Sequence, residues 1–164
     1  MSKTGVATMS YQADVSTAYA MLTDPAYSRF KNEKTGGSNV EVSTSDNGDG
    51  ITIVAKRDLP ADVPSYARSL VGKTITTTET DAWGATQPDG SRQATMTIAF
   101  SVPAKVTGTF DLVPTETGSK VTITIEAKAN VPFIAGKLEG VLVEQFVRAV
   151  EAEEPIGQQW LLDH

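Results

Sequence analysis

A long amphipathic segment near the end of the chain constrains the fold more than any other feature of the sequence. From about Phe133 to Glu154, apolar residues recur every three or four positions, and charged residues collect on the opposite side. This spacing predicts one long helix that stops near Pro155 and Gly157. The apolar arc of this helix is wider than a single contact with a sheet usually requires.

Alternating apolar and polar residues before this helix predict about six to seven antiparallel strands. Residues 5–13 and Lys120–Asn130 alternate most regularly. Asp46–Gly50 combines Asn-Gly with Asp-Gly and therefore predicts a hairpin turn. The threonine-rich segment from Arg68 to Trp83 is predicted to be extended throughout. One of its faces carries Ile75, Thr77, Glu79, Asp81 and Trp83.

Two short helices are predicted between the first and second strands. Asp14 and Ser16 are both residue types that cap helix N-termini, and Asp24-Pro25 starts a second helix. The complete order is therefore a strand, a helical pair, a run of antiparallel strands and one long helix. This order predicts a single α+β domain over residues 1–164. A curved sheet around the long helix leaves an apolar space between them, which suits a small hydrophobic molecule.

The composition of the chain excludes several kinds of chemistry. Its 164 residues include 14 Lys+Arg and 20 Asp+Glu, which gives a net charge of −6 and disfavours nucleic acid as a partner. There is no cysteine, and the one histidine is His164. We therefore expect no metal site, no cofactor, no thiol nucleophile and no Ser-His-Asp triad. Any catalysis would rest on carboxylates, arginine or tyrosine.

No continuous apolar run reaches the length of a signal peptide or of a membrane span. The richest stretch, from Val131 to Val150, contains several charged residues. We therefore expect a cytoplasmic protein without a membrane-spanning segment.

Two segments of the chain resemble the START-like, or SRPBCC, superfamily, which includes the birch-pollen-allergen-like proteins. VATMSYQADVSTAYAMLTDPAYSRF, within residues 5–33, is similar to the opening strand and helical pair of that superfamily. VPFIAGKLEGVLVEQFVRAVEAEEPIGQQWL, residues 131–161, is similar to its closing helix. The resemblance covers nearly the whole chain and implies the helix-grip fold, in which a curved antiparallel sheet wraps around a long C-terminal helix.

Four segments resemble, more narrowly, an uncharacterised bacterial branch known only as a domain of unknown function. They are LPADVPSYARSLVGKTITTTETDAW, PAKVTGTFDLVP, VPFIAGKLE and EEPIGQQWL. The superfamily hosts lipid carriers, hormone receptors, cyclases, oxygenase domains and chaperone activators, so the resemblance implies a fold and leaves the chemistry open. The branch supplies no catalytic residues that carry over to this sequence.

The main hypothesis is that the apolar space binds a small hydrophobic molecule, such as a lipid or a polyketide-like compound. The alternative is that the same side chains pack as a solid core. The residues predicted to line the space or its rim are Met9, Tyr11, Ile53, Arg57, Tyr66, Ile75, Trp83, Met96, Phe100, Phe110, Ile123, Leu138, Leu142 and Phe146.

Polar residues on the inward faces allow a second hypothesis, a cyclase or hydrolase in the same cavity. A buried carboxylate among them would have a raised pKa and serve as a general acid or base, and an arginine could anchor a ligand carboxylate. The alternative is that these side chains reach water near the strand ends. The inward polar residues are Tyr11, Arg57, Glu79, Asp81 and Gln145.

A third hypothesis is a protein-interaction module or weak homodimer, with Val143 and Val147 as an exposed patch on the long helix. Three local motifs also have a functional and a structural interpretation. Asp46–Gly50 lacks calcium-loop spacing and is interpreted as a turn. The segment from Pro60 to Tyr66 is either a gate or a stiff connection. The glycines Gly136 and Gly140 would allow the helix to approach the sheet closely or leave room for a ligand.

Overall fold

A computed structural model of the chain describes residues 2–164. Seven strands form one antiparallel sheet in the order β1-β7-β6-β5-β4-β3-β2. The strands are β1 (Lys3–Tyr11), β2 (Ser38–Asp46), β3 (Ile51–Pro60), β4 (Thr74–Trp83), β5 (Arg92–Phe100), β6 (Ala104–Thr115) and β7 (Gly118–Ala129). The helices are α1 (Val15–Leu22), α2 (Pro25–Lys34), α3 (Arg68–Val71) and α4 (Ala135–Asp163). The predicted α+β helix-grip architecture is confirmed.

The helical pair begins where its capping residues predict. The Thr17 amide donates to Asp14 Oδ1 at 2.8 Å, and the Ala26 amide donates to Asp24 Oδ1 at 2.8 Å. Pro25 occupies the first helical position of α2, where its missing N–H leaves no helical hydrogen bond unmade. Short-range capping therefore fixes both helix starts.

The turn between β2 and β3 is held by its own side chains. The Gly48 amide donates to Asp46 Oδ1 at 2.7 Å, and the Gly50 amide donates to Asn47 Oδ1 at 2.8 Å. Gly48 has a φ of 95°, which residues with a side chain rarely adopt. These hydrogen bonds match the interpretation of this segment as a plain hairpin turn.

The prediction of an extended chain from Arg68 is wrong for its first residues. A 3₁₀ turn over Ser65–Ala67 leads into α3, and β4 begins only at Thr74. The reason is tertiary packing, since Ala67 and Val71 are buried in a small cluster with Leu138 of α4. A short helical turn brings both side chains to that cluster, whereas an extended strand would turn some of this apolar surface to water.

Both ends of α4 differ from the prediction. The helix begins at Ala135, because Phe133 takes a left-handed backbone conformation with a φ of 67°. It also continues through Pro155 to Asp163. Proline removes one helical hydrogen bond, but the last turns bury apolar side chains against the main core, including Trp160, whose ring centroid lies 5.4 Å from that of Tyr27.

The small residues of α4 have different surroundings from those predicted. A Cβ at Gly136 would meet nothing within 4 Å, and one at Gly140 would meet only the Lys3 side chain at 3.8 Å, so neither glycine lies close against the sheet. Val143 and Val147 pack over Gly5 of β1 instead of forming an exposed patch. Both valines are half-buried by this packing, so the patch predicted on α4 is only partly exposed.

A matched pair of glycine substitutions tests the packing of α4. At Gly157, a Cβ would lie 2.8 Å from Tyr11 Cε1 and 2.9 Å from the Tyr27 hydroxyl. We expect Gly157→Ala to lower the free energy of unfolding by about 1–3 kcal/mol through overpacking. Gly136→Ala should raise it by about 0.5–1 kcal/mol, because alanine is the better helix former and space is open. Urea denaturation of both variants checks this, and equal effects at both positions would contradict it.

Candidate ligand cavity

An incompletely filled cavity lies between the sheet and α4. Helix α4 packs mainly against β1 and β7 at one side of the sheet, whereas α2 lies over β2 and β3 at the other. Between these contacts remains a cavity of about 140 Å³, bounded by β3 to β6, α1, α2 and α4. We call this space the ligand cavity.

The walls of the ligand cavity are mostly apolar over β3, β5, β6 and α4. The space exists because several inward positions carry short side chains, among them Ala55 on β3, Thr77 on β4 and Ala149 on α4. Helix α4 packs on the β1 side of the sheet and therefore leaves these short side chains uncovered. The apolar lining residues are Leu22, Ile53, Ala55, Leu59, Ile98, Phe100, Val106, Leu142, Phe146 and Ala149.

A second, smaller void of about 60 Å³ lies towards the start of α4. It shares five lining residues with the ligand cavity, namely Leu59, Thr77, Phe100, Leu142 and Gln145. Part of its wall is the segment after β3, which Gln145 Nε2 ties to α4 by donating to the Asp62 carbonyl. Rearrangement of the few shared side chains would join the two spaces.

One end of the ligand cavity holds an ion pair between helices. Lys31 Nζ of α2 lies 3.4 Å from Glu153 Oε2 of α4, and the two side chains are 15% and 17% exposed. Burial disfavours the charged form of Lys31, but the nearby carboxyl groups, Glu153 foremost, outweigh this and raise its pKa. The pair ties α2 to α4 across the mouth of the space.

Two carboxyl groups lie on the inward face of β4 in the same cavity. Glu79 and Asp81 are two residues apart on one strand, so both point to the helix side of the sheet. Asp81 is buried, and its Oδ1 meets no hydrogen-bond donor within residues 2–164. Burial raises the pKa of Asp81 well above its usual range, and the negative charge of Glu79 raises it further.

Arg57 faces the cavity from β3, but its guanidinium is already engaged. Its Nη1 donates to Thr35 Oγ1 at 2.8 Å and to the Asn32 carbonyl at 3.2 Å. Burial lowers the pKa of the Arg57 guanidinium, and the carboxylates of Glu153 and Glu79 partly offset that effect. Arg57 therefore stabilises the end of α2 as well as lining the cavity.

The structure places some of the predicted lining residues at these spaces. Ile53, Arg57, Phe100, Leu142 and Phe146 line the ligand cavity. Ile75 and Leu138 line only the second void. The inward polar candidates Glu79, Asp81 and Gln145 also line the ligand cavity, and the strand register assumed for Glu79 and Asp81 is correct.

The other predicted lining residues lie elsewhere. Tyr66 is 41% exposed and lies 5.5 Å from Lys137 Nζ, measured to the ring centroid. The remaining six pack into the main core, because α4 and α1 fill the space above β1, β7 and β6. These six are Met9, Tyr11, Trp83, Met96, Phe110 and Ile123.

The two charged helix residues of the cavity, Lys31 and Glu153, are absent from the sequence prediction. Glu153 continues the stripe of Leu142, Phe146 and Ala149 at helical spacing, so extension of the wheel past the apolar residues would have found it. Lys31 gives no such signal, because the inward face of the short α2 depends on how that helix packs across the sheet.

A family model described as "Protein of unknown function (DUF2505)" matches residues 7–161. The chain belongs to this family. No curated protein matches the sequence. The family assignment accounts for nearly the whole chain and brings no established activity with it.

Solved structures similar to this chain share its START-like fold. A START superfamily protein from Mycobacterium smegmatis superposes with a TM-score of 0.60 at 13% identity, covering 98% of this chain and 97% of that one. Ara h 8.0201 gives a TM-score of 0.61 at 13% identity, with both chains covered completely at 100%. The Zhui aromatase/cyclase from Streptomyces sp. R1128 gives 0.56 at 13% identity, covering 99% and 93%. At these identities the likeness concerns the fold.

None of the helices within residues 2–164 is both long enough and apolar enough to cross a membrane.

Proposed function

We propose that this protein binds a small hydrophobic molecule in the ligand cavity between the sheet and α4. The observation that carries the proposal is the unfilled apolar space of about 140 Å³ over β3 to β6. Well-packed interiors leave few voids larger than a water molecule, so a space of this size in a small domain favours a site for a bound ligand. The shared fold of carriers and cyclases supports the proposal.

The size of the cavity restricts the ligand. An engineered apolar cavity of about 150 Å³ holds a benzene molecule, so the ligand cavity accepts an apolar body of roughly one ring. A lipid or polyketide-like molecule requires the second void as well, which the shared side chains separate from the first. Burial of about 100 Å² of apolar ligand surface contributes roughly 2–3 kcal/mol, so single-ring probes should bind in the millimolar range.

Native mass spectrometry of protein purified without lipid stripping tests this proposal. We expect a bound species that leaves on denaturation, or saturable binding of single-ring apolar probes if purification has emptied the site. An unliganded chain that binds no such probe even at about 100 mM, above the Kd of roughly 6–35 mM that 2–3 kcal/mol corresponds to, would contradict the proposal.

A second candidate function is catalysis of the cyclase or hydrolase type in the same cavity. It is favoured by Asp81, because a buried carboxyl with a raised pKa can serve as a general acid, and a second carboxyl group, Glu79, lies beside it in the cavity. Catalysis predicts that Glu79→Gln abolishes turnover of a bound substrate with little loss of affinity. Unchanged turnover in that variant would contradict it.

We also propose that residues 1–164 form one domain that works in the cytoplasm. Limited proteolysis that yields a stable shorter fragment would contradict the first statement, and fractionation of the source cells tests the second.

A further inference from the structure

We infer that the ligand of this cavity carries a protonated amine, which Asp81 and Glu79 bind. The inference rests on the proposed function and names the chemical class of its ligand. Three observations support it: the unpartnered oxygen of Asp81, the engagement of both cations in the cavity, and the excess of carboxyl groups around the space.

The cross-strand neighbours of Asp81 supply no donor, and its one polar side-chain contact on β4 is with the carboxyl group of Glu79. Asp81 lies opposite Ile53 of β3 and Met96 of β5, and both are buried apolar side chains. Glu79 likewise lies between Ala55 and Ile98. A buried carboxyl without a donor costs stability. A ligand group in the cavity is therefore the natural partner for the free Asp81 oxygen.

The two cations of the cavity already have partners. Lys31 pairs with Glu153, and Arg57 donates to Thr35 and to the Asn32 carbonyl. An anionic ligand would have to displace these contacts and would also face the carboxylates of Glu79 and Glu153, beside the buried carboxyl group of Asp81. Like-charge contact at low dielectric is strongly unfavourable. The ligand carboxylate considered for Arg57 is accordingly a poor fit.

An ammonium group can satisfy the hydrogen-bond acceptors of Asp81 and Glu79 better than a hydroxyl group can. It offers three N–H donors, whereas a hydroxyl offers one. Asp81 and Glu79 lie on one face of one strand, so a single ammonium can donate to both while its apolar body lies against Ile53 and Ile98. Hydrogen bonds between charged partners are also about twice as strong as neutral ones.

Binding of an ammonium group should release a proton from the protein, whereas binding of a neutral ligand should not. In the empty cavity, burial and the nearby Glu79 raise the pKa of Asp81 and favour the protonated form of its carboxyl group. The incoming positive charge favours the carboxylate, so the Asp81 O–H bond breaks and the proton passes to the buffer. The other charged groups that face Asp81 are Glu79 on β4, Lys31 on α2, Glu153 on α4 and, farther off on β3, Arg57. Lys31 and Arg57 stay charged throughout, because Glu153 raises the pKa of Lys31 and a guanidinium group is not deprotonated in proteins.

The experiment compares benzylamine, benzyl alcohol and benzoate, which share one ring and differ in charge. We expect benzylamine to bind at least about tenfold more tightly than benzyl alcohol at neutral pH, and benzoate to bind most weakly. Calorimetry in buffers of different ionisation enthalpy should show release of about one proton per benzylamine bound and none for benzyl alcohol.

Two variants and one control complete the test. Asp81→Asn should lose most of the preference for benzylamine and all of the proton release, and Glu79→Gln should weaken benzylamine binding while sparing benzyl alcohol. Glu126→Gln, on the exposed outer face of β7, removes an equal charge and should change neither ligand. Equal binding of the amine and the alcohol, or amine binding without proton release, would overturn the inference and leave the proposed function standing. Failure of all three probes would overturn both.

Discussion

Replacement of Ala149 by phenylalanine should abolish ligand binding while the protein stays folded. Ala149 lies on the cavity face of α4, one turn beyond Phe146. A phenyl ring at this position would occupy the space that we assign to the ligand. We expect the affinity for single-ring probes to fall at least about tenfold, equivalent to 1.4 kcal/mol or more.

The matched control for this substitution is Ala152→Phe. Ala152 is an exposed residue of the same helix, three positions further on. It adds the same ring to the solvent side of α4 and should leave ligand binding unchanged. Thermal denaturation of both variants shows whether α4 still packs. Full binding by a folded Ala149→Phe variant would show that the ligand lies elsewhere.

Substitution of Asp81 by asparagine should change how stability depends on pH. The unfolded chain ionises Asp81 near pH 3.9, the ordinary value for aspartate, whereas the folded chain holds the proton to a higher pH. The folded state thus binds more protons in the window between these two values, and stability is lost as pH rises through it. Asparagine cannot ionise and avoids this loss.

We therefore expect the Asn variant to be more stable than the parent protein by about 1–3 kcal/mol at pH 8, the range for relief of an unsatisfied buried group. The difference should shrink as the pH falls below about 3.9, where the carboxyl group becomes neutral in the unfolded chain as well. Urea denaturation across this range measures it, with Glu126→Gln as the control. If the free energy of unfolding depended on pH in the same way in the parent and in Asp81→Asn, the pKa of Asp81 would be the same in the folded and the unfolded chain.

The sequence predicts the sheet and its inward faces well because local alternation decides them. Glu79 and Asp81 point inward as their position in β4 requires, although both carry carboxyl groups. The ends of the elements were less predictable, since tertiary packing determines them. Ala67 and Val71 form a helical turn because this conformation packs them against Leu138. Helix α4 continues through Pro155 because Trp160 packs against the main core.

The cavity was only partly predictable because a void depends on where the helix sits across the sheet. The alternation pattern shows that Trp83, Met96 and Phe110 face inward, and they do. It does not show that α1 and the β1 side of α4 cover them, so that the open space lies over β3 to β6 instead. The ion pair between Lys31 and Glu153 likewise depends on how α2 and α4 pack across the sheet.

Methyl NMR during a titration with benzylamine tests the central claim, that the ligand cavity binds an apolar molecule, most directly. The methyl groups of Ile53, Ile98 and Leu142 line the space and should shift in a saturable way. Those of Val121 and Ile125, buried in the core on β7, should stay nearly unchanged. Equal shifts in both sets, or none in the cavity set, would contradict the account.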